Sequence, residues 1–197
     1  MFTGIIEAVG QIKQVEQRDR GVRLTVASDA LDFSDVAIGD SIAANGVCLT
    51  VTALAGKAYT VDVSQETLNC TVGLDAPGEV NLEKAMRMSD RLGGHLVSGH
   101  VDGVGEVVKF EPAGESHLLQ IRAPRELARY IAAKGSMTVN GVSLTVNGIC
   151  DGVFSINLIP HTLEATTLKH LKPGSRVNLE VDMLARYVDR LLHPEQH

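Results

Sequence analysis

The chain has 197 residues, 44% of them hydrophobic and 21% charged, with a formal net charge of −6 at pH 7. That composition is ordinary for a globular protein, and the length suits one large or two small domains. The acidic balance, with four Phe, three Tyr and no Trp, lacks the basic, aromatic-studded stripe of a nucleic-acid surface, and no apolar run approaches the length of a membrane span.

The start, Met1-Phe2-Thr3-Gly4-Ile5-Ile6-Glu7, carries no basic n-region and no cleavage site, so it does not read as a signal peptide. In chain order, β-branched runs then predict strands over 4–14, 22–27, 41–44, 47–53, 58–63 and 79–82. Asn45-Gly46, Gly56-Lys57 and Pro77-Gly78 punctuate them, and Asn-Gly between alternating runs is a strong hairpin signal. Residues 84–94 form a polar linker ending in Gly93-Gly94. The second half predicts strands over 99–108, 117–123, 136–139, 142–149, 153–158 and 176–181. A helix is expected over 124–134, with Pro124 in its first turn and Gly135 after its end. Short helical segments are expected after Glu66 and after His161.

The last predicted element spans 183–192, with Asp182 as N-cap and Pro194 as a stop. Leu184, Tyr187, Val188, Leu191 and Leu192 fall on one stripe. A helix of about ten residues is marginal alone, so this stripe either covers its own domain or bundles with the same helix of other chains. His193 and His197 read as solvated tail. Cys48, Cys70 and Cys150 are an odd number without metal spacing; they are expected to be free thiols in a reducing cytoplasm.

The chain is also a repeat. Ser41 to Val51 reads S-I-A-A-N-G-V-C-L-T-V, and 95 positions later Ser136 to Val146 reads S-M-T-V-N-G-V-S-L-T-V. The same offset sets Gly4-Ile5-Ile6-Glu7 against Gly99-His100-Val101-Asp102, and Glu66-Thr67-Leu68 against His161-Thr162-Leu163. With a small slip, Val80-Asn81-Leu82-Glu83 returns as Val177-Asn178-Leu179-Glu180. A unit of this length is a whole domain, too long for a solenoid repeat. Six short strands in each suit a small closed antiparallel barrel. The division expected is 1–94, 95–182 and a helix with tail over 183–197. Two similar domains suggest two similar pockets, and so a protein that handles two copies of one ligand.

Three stretches are specific when taken together and in order: Met1 to Glu7, Asn45-Gly46-Val47-Cys48-Leu49-Thr50-Val51, and Gly93-Gly94-His95-Leu96-Val97-Ser98-Gly99-His100-Val101. Over essentially its full length the chain resembles the riboflavin synthases of α-chain type. The resemblance implies an all-β fold of two similar six-stranded antiparallel Greek-key barrels plus a C-terminal α-helix. It implies a homotrimer associated through that helix, with each site between the N-terminal barrel of one chain and the C-terminal barrel of its neighbour. The reaction it implies is dismutation of two 6,7-dimethyl-8-ribityllumazine molecules by four-carbon transfer, giving riboflavin and a ribitylamino-pyrimidinedione, with no redox cofactor or metal. A partner to consider is lumazine synthase, which precedes this family in its pathway.

The same resemblance proposes the site. Cys48 and Ser143 hold equivalent positions, followed by Thr50 and Thr145; a thiol or hydroxyl there could bind a ring edge, shuttle a proton or add to the ring. Read from the residues alone they are ordinary strand positions. His100 replaces Ile5 of the first repeat, and an imidazole transfers protons near neutral pH; the bland reading is a structural histidine. The resemblance makes His100, Cys48, Ser143 and Thr145 the catalytic candidates. Substrate-binding candidates are Phe2, Gly4, Ile5, Ile6, Ser41, Leu49, Thr50, Gly99, Val101 and Leu144. Further ones are Asp62, Val63, Ser64, Gln65, Glu66 and Thr67, with Ile159, Pro160, His161 and Thr162 in the second half, or helix caps in the bland reading. Lys134 and Asp182 also match, each with a plain helix-end role beside it, and Asn140 reads as a turn residue. His95 is a weaker candidate beside His100 and reads more readily as structural, and His95, His100 and Asp102 do not make a convincing metal set. A lumazine-binding antenna protein would share this pattern without turnover. A flavin-binding reductase module would need a nucleotide-binding domain with a glycine-rich turn, and the sequence has none.

Overall fold

A computed structural model describes residues 1–194. Twelve strands form two closed antiparallel barrels. In the first, β1 (Ala8–Arg18), β2 (Gly21–Ala27), β3 (Ser41–Ala44), β4 (Val47–Ala55), β5 (Ala58–Ser64) and β6 (Gly78–Lys84) close in the order β1-β2-β5-β4-β3-β6. The second repeats this with β7 (Gly103–Ala113), β8 (Ser116–Arg122), β9 (Ser136–Val139), β10 (Val142–Cys150), β11 (Val153–Leu158) and β12 (Arg176–Val181). Period-two alternation fills each interior. Along β4, Val47, Leu49 and Val51 point inward and Cys48 and Thr50 outward; along β10, Val142, Leu144 and Val146 point inward and Ser143 and Thr145 outward. Closure leaves no unpaired sheet edge.

The strands expected from positions 4 and 99 begin instead at Ala8 and Gly103. Gly4 and Gly99 stand at φ of +75° and +79°, a backbone state open to glycine that ends an extended run. The helix expected over 124–134 is not formed; only a single 3₁₀ turn appears, at Ala128–Tyr130. Leu127 and Ile131 are pinned in the second barrel's core, and the Lys134 N–H donates to the Val146 carbonyl at 2.8 Å. Packing here overrides local propensity. Short helices do form at the expected places, α1 (Gln65–Cys70) and α2 (Pro160–Ala165).

The closing helix, α3 (Met183–Leu192), follows Asp182, whose carboxylate accepts the Leu184 N–H at 3.0 Å. Its polar side is what holds it. Arg186 pairs with Asp102 at 2.6 Å, and Asp189 takes Arg129 at 2.6 Å and the Tyr130 hydroxyl at 2.9 Å. The apolar stripe therefore does not cover its own barrel: Leu184, Tyr187, Val188, Leu191 and Leu192 are 53–80% exposed. His193 is tied to Asp189 at 3.2 Å, while His197 lies outside the described residues.

The barrels meet about a pseudo-two-fold axis, so equivalent residues face each other. Phe2 and Val97 exchange backbone hydrogen bonds of 2.8 and 3.0 Å. Gly46 meets Gly141 so closely that a Cβ on Gly46 would lie 2.8 Å from the Gly141 nitrogen. Around them four buried asparagines interlock. Asn45 Oδ1 accepts the Asn81 N–H at 2.9 Å and Asn140 Oδ1 the Asn178 N–H at 2.8 Å. Asn81 Nδ2 crosses to the Asn140 carbonyl at 2.9 Å, and Asn178 Nδ2 to the Asn45 carbonyl at 3.0 Å. The Asn-Gly and Val-Asn-Leu-Glu recurrences thus build the joint between the domains as well as the hairpin turns.

Asn178→Ala deletes the Nδ2 bonds to Asn45 and Val72 and strips the Val72 N–H of its acceptor. Unpaired buried polar groups cost about 1–3 kcal/mol each, so we expect a loss of about 2–4 kcal/mol. For a chain of this size that is a fall in Tm on the order of 10 °C; a calorimetric shift under 2 °C would refute the interlock's importance.

Candidate functional site

The residues before each barrel's first strand form an arm that crosses the axis. A buried carboxylate turns each arm. Glu83 accepts Thr3 N–H at 2.6 Å, Thr3 Oγ1 at 2.7 Å and Gly4 N–H at 3.0 Å. Glu180 does the same for Ser98 N–H, Ser98 Oγ and Gly99 N–H at 2.7, 2.6 and 3.0 Å. Burial pushes both carboxyls up, against these hydrogen bonds, which favour the charged form. The arm tips then land on the opposite barrel. The Gly4 carbonyl accepts the Ser143 N–H at 2.7 Å, and the Gly99 carbonyl accepts the Cys48 N–H at 2.8 Å. Ile6 packs on the second core and Val101 on the first. A Cβ at Gly4 would sit 2.6 Å from Ser143 Cβ, and one at Gly99 2.7 Å from Cys48 Cβ. His100 thus belongs to the second repeat in sequence but stands against the first barrel in space.

Two polar patches result, each on the outer wall of a barrel. On the first, Ser41 pairs in register with Thr50 on β3 and β4, beside outward-facing Cys48. Asp62 and Ser64 face outward from β5, and α1 follows with Gln65, Glu66 and Thr67. Ser64 caps α1 by accepting the Thr67 N–H at 3.1 Å. Exposed His100 and half-buried Val101 complete the edge. On the second wall lie Ser143, Thr145 and the run Ile159, Pro160, His161 and Thr162 at the start of α2, with exposed Ile5 from the crossing arm. Lys134 stands at φ +68° where the first barrel has Gly39 at φ +97°. A lysine held there costs about 1–3 kcal/mol, and such strain clusters at functional positions.

Several predicted side chains are placed away from these surfaces. Leu49, Val63 and Leu144 point into the barrel cores and offer a ligand only backbone. Phe2 is wholly buried against Ala43, Val97 and Cys48, so it buttresses the arms. Asp62 is engaged by Arg23 through contacts of 2.7 and 2.8 Å, which hold its carboxyl below the usual range. Glu66 receives the Cys70 thiol at 3.4 Å. Asn140, at φ +48°, is a turn residue. A cleft of about 960 Å³ lies between α3 and the second barrel, lined by Asp102, Arg125, Tyr130, Arg186 and Tyr187. It contains none of the predicted residues.

His95, the weaker candidate in the sequence, is placed at the second patch. Its Nδ1 lies 2.7 Å from Ser143 Oγ, and its Nε2 is buried without a hydrogen-bond partner. Burial lowers the imidazole pKa, and nearby Asp182 opposes that shift. Gly94 permits the approach, since a Cβ there would sit 2.1 Å from the Thr3 carbonyl oxygen and 2.8 Å from Ser143 Cβ. The Gly-Gly-His run was visible, but the serine 48 positions on gave no sign of meeting it.

Comparison with known proteins bears on these patches. The family model described as lumazine binding domain matches twice, at residues 3–85 and 98–182. Riboflavin synthase of Photobacterium phosphoreum is 49% identical over 194 residues, covering 98% of this chain and 89% of that protein. Riboflavin synthase of Bacillus subtilis (strain 168) is 42% identical over 195 residues, covering 98% and 90%. Among solved structures, LumP complexed with riboflavin superposes with a TM-score of 0.82 at 27% identity, covering 92% of this chain and 99% of that one. LumP complexed with 6,7-dimethyl-8-(1'-D-ribityl) lumazine gives 0.80 at the same identity and coverage.

The buried ring of His95 predicts an acid-labile contribution to stability. Above the ordinary imidazole value of 6.5 both folded and unfolded chains carry it neutral. As pH falls through 6.5 toward the lower folded value, the unfolded chain takes a proton that the buried ring refuses, and stability is lost. His95→Asn cannot take that proton. The Tm difference between wild type and this variant should therefore shrink from pH 8 to pH 5.5; a constant difference would contradict it.

Proposed function

We propose, from the premise that the chain belongs to the riboflavin synthase family, that it is itself a riboflavin synthase, a transferase that dismutates two molecules of 6,7-dimethyl-8-ribityllumazine. One molecule gives a four-carbon unit to the other, yielding riboflavin and 5-amino-6-(D-ribitylamino)pyrimidine-2,4-dione. The observation that carries this reading is the doubled wall patch: the same polar surface is built twice, each time edged by the other repeat's arm. A reaction whose donor and acceptor are the same compound needs two such surfaces.

The chemistry requires loss of a proton from the methyl group at ring position 7, giving a carbanion delocalised into the pteridine. Much of that acidity belongs to the substrate. The protein's share is to hold two flat rings together and to move protons, worth roughly 10²–10⁴-fold. His100, Cys48, Ser143 and Thr145 are the proposed groups for this. The patches differ: Cys48, Glu66 and His100 serve one, Ser143, His161 and Ile5 the other. That inequality suits assigning one ring as donor and the other as acceptor. Hydroxyl-rich Ser41, Thr50, Ser64 and Thr67 suit the ribityl chain.

Both patches lie open on one chain's wall, and the stripe of α3 is unpaired. We take these together as support for a homotrimer joined through α3, in which the first barrel of one chain faces the second barrel of its neighbour. A carrier that binds lumazine or flavin without turnover is the second reading, favoured by the LumP superpositions. Against it stand 42–49% identity with riboflavin synthases, compared with 27% for LumP. Thr50, Thr145, Cys48, Ser143 and His100 are also all present.

Purified protein incubated with the lumazine alone should release one riboflavin per two substrates consumed; tight binding without riboflavin would establish the carrier. His100→Ala should lower kcat by about 10²-fold with substrate affinity nearly unchanged, and equal losses in both would remove its proton-transfer role. Leu191→Asp should turn a sedimenting trimer into a species of 21.0 kDa; an unchanged mass would break the α3 association.

A further inference from the structure

Among the described residues, His95 is buried at the second patch with one ring nitrogen unpartnered. It lies on the crossing segment that also carries Val97 and Gly99, is 9% exposed, and reaches Ser143 Oγ through Nδ1 at 2.7 Å. No counterpart acts on the first wall, where among the described residues the Cys48 side chain has no hydrogen-bond partner; its backbone N–H alone is held, by the Gly99 carbonyl. A free hydroxyl on a strand wall samples three rotamers about its C–O bond. Ser143 does not have that freedom.

We infer that His95 is a positioning residue for Ser143: the hydrogen bond between its Nδ1 and Ser143 Oγ fixes the hydroxyl on the second wall. The inference deepens the riboflavin synthase reading and rests on it. In a neutral imidazole one nitrogen accepts and the other donates. Nδ1 is the nitrogen engaged by Ser143, and Nε2 lies buried without a partner, so Ser143 is the side chain to which this ring is tied. Burial lowers the imidazole pKa and so favours the neutral ring, which can share one hydrogen with the hydroxyl in either tautomer. Asp182 is the charged group acting on it, from the start of α3.

The consequence is chemical asymmetry between the two walls. Ser143 is presented to the bound lumazine in one orientation, tied to His95. Cys48 is half-buried against Phe2, Ala43 and Val97 and has no such polar tie. Ligand order between the patches is then set partly by His95.

The test uses the full-length protein and 6,7-dimethyl-8-ribityllumazine. His95→Leu removes the hydrogen-bonding nitrogen, His95→Asn restores a polar group near the Nδ1 position, and Ser143→Ala removes the hydroxyl. His95→Leu should lower kcat by on the order of 10²-fold, the size of effect expected from a misplaced group, with KM changed less than threefold. His95→Asn should recover most of that loss. The double variant His95→Leu/Ser143→Ala should be no slower than Ser143→Ala alone. If His95→Asn is as slow as His95→Leu, or if the two losses multiply in the double variant, the positioning role is overturned. Should His95→Leu fail to fold, His95→Phe, which keeps a ring without a hydrogen-bonding nitrogen, takes its place alone and with Ser143→Ala on the same criterion. A wild type that binds the lumazine and makes no riboflavin would overturn the proposed function, whereas a wild type that makes riboflavin with no recovery in His95→Asn would overturn the positioning role alone.

Discussion

Everything else in this molecule depends on two carboxylates buried where carboxylates are costly. Glu83 and Glu180 are 4% and 2% exposed, and each is satisfied by two backbone N–H groups and one hydroxyl of the arm beside it. Neither is met by a cation in those contacts. A buried carboxylate without its donors would be severely penalised, so the arm has effectively one place to go. Its turn through Gly4 or Gly99 then aims a carbonyl at the opposite barrel. The anionic clasp, the positive-φ glycine and the crossing are a single device, used twice.

Around that device the four interlocked asparagines fix how far apart and at what angle the barrels sit. The glycine pair at the axis admits no side chain, so the separation is set by backbone contact. This rigidity matters for the patches. Each combines strands of one repeat with the arm of the other, and their mutual position decides whether Cys48 meets His100, and Ser143 meets His95 and Ile5. A wall patch built on a closed barrel is stiff, which suits a surface that must hold a flat ring in register.

Much of this was legible beforehand. β-branched runs and the turns between them located the strands to within a residue or two except at the first of each half, because strand propensity and turn chemistry are local. Asp182 and the 183–192 stripe gave α3, since a cap and an amphipathic face are local. The repeat gave two domains. What it did not give was who touches whom. The arms read as the starts of strands because Ile5, Ile6 and Val101 are β-branched, and only the clasp by a glutamate some 80 positions away diverts them. The helix expected at 124–134 failed for a similar reason, since two apolar anchors matter more to that loop than its helix-like ends. Leu49, Val63 and Leu144 entered the candidate site as members of motifs, and the same alternation that placed Cys48 and Thr50 outside puts them inside. His95 ranked as a weaker candidate with a structural reading preferred, because its partner Ser143 is a tertiary contact.

The crossing of the arms bears on how the chain holds together if it is cut. The segment joining the barrels is exposed from Arg87 to Gly94, while the arm that follows it is gripped by the first barrel and the arm at the beginning of the chain is gripped by the second. Each half therefore carries a piece that the other needs to seal its wall. A nick in the connecting segment would sever the covalent path and leave the clasped halves holding one another, so the two domains are joined less by their linker than by reciprocal loan.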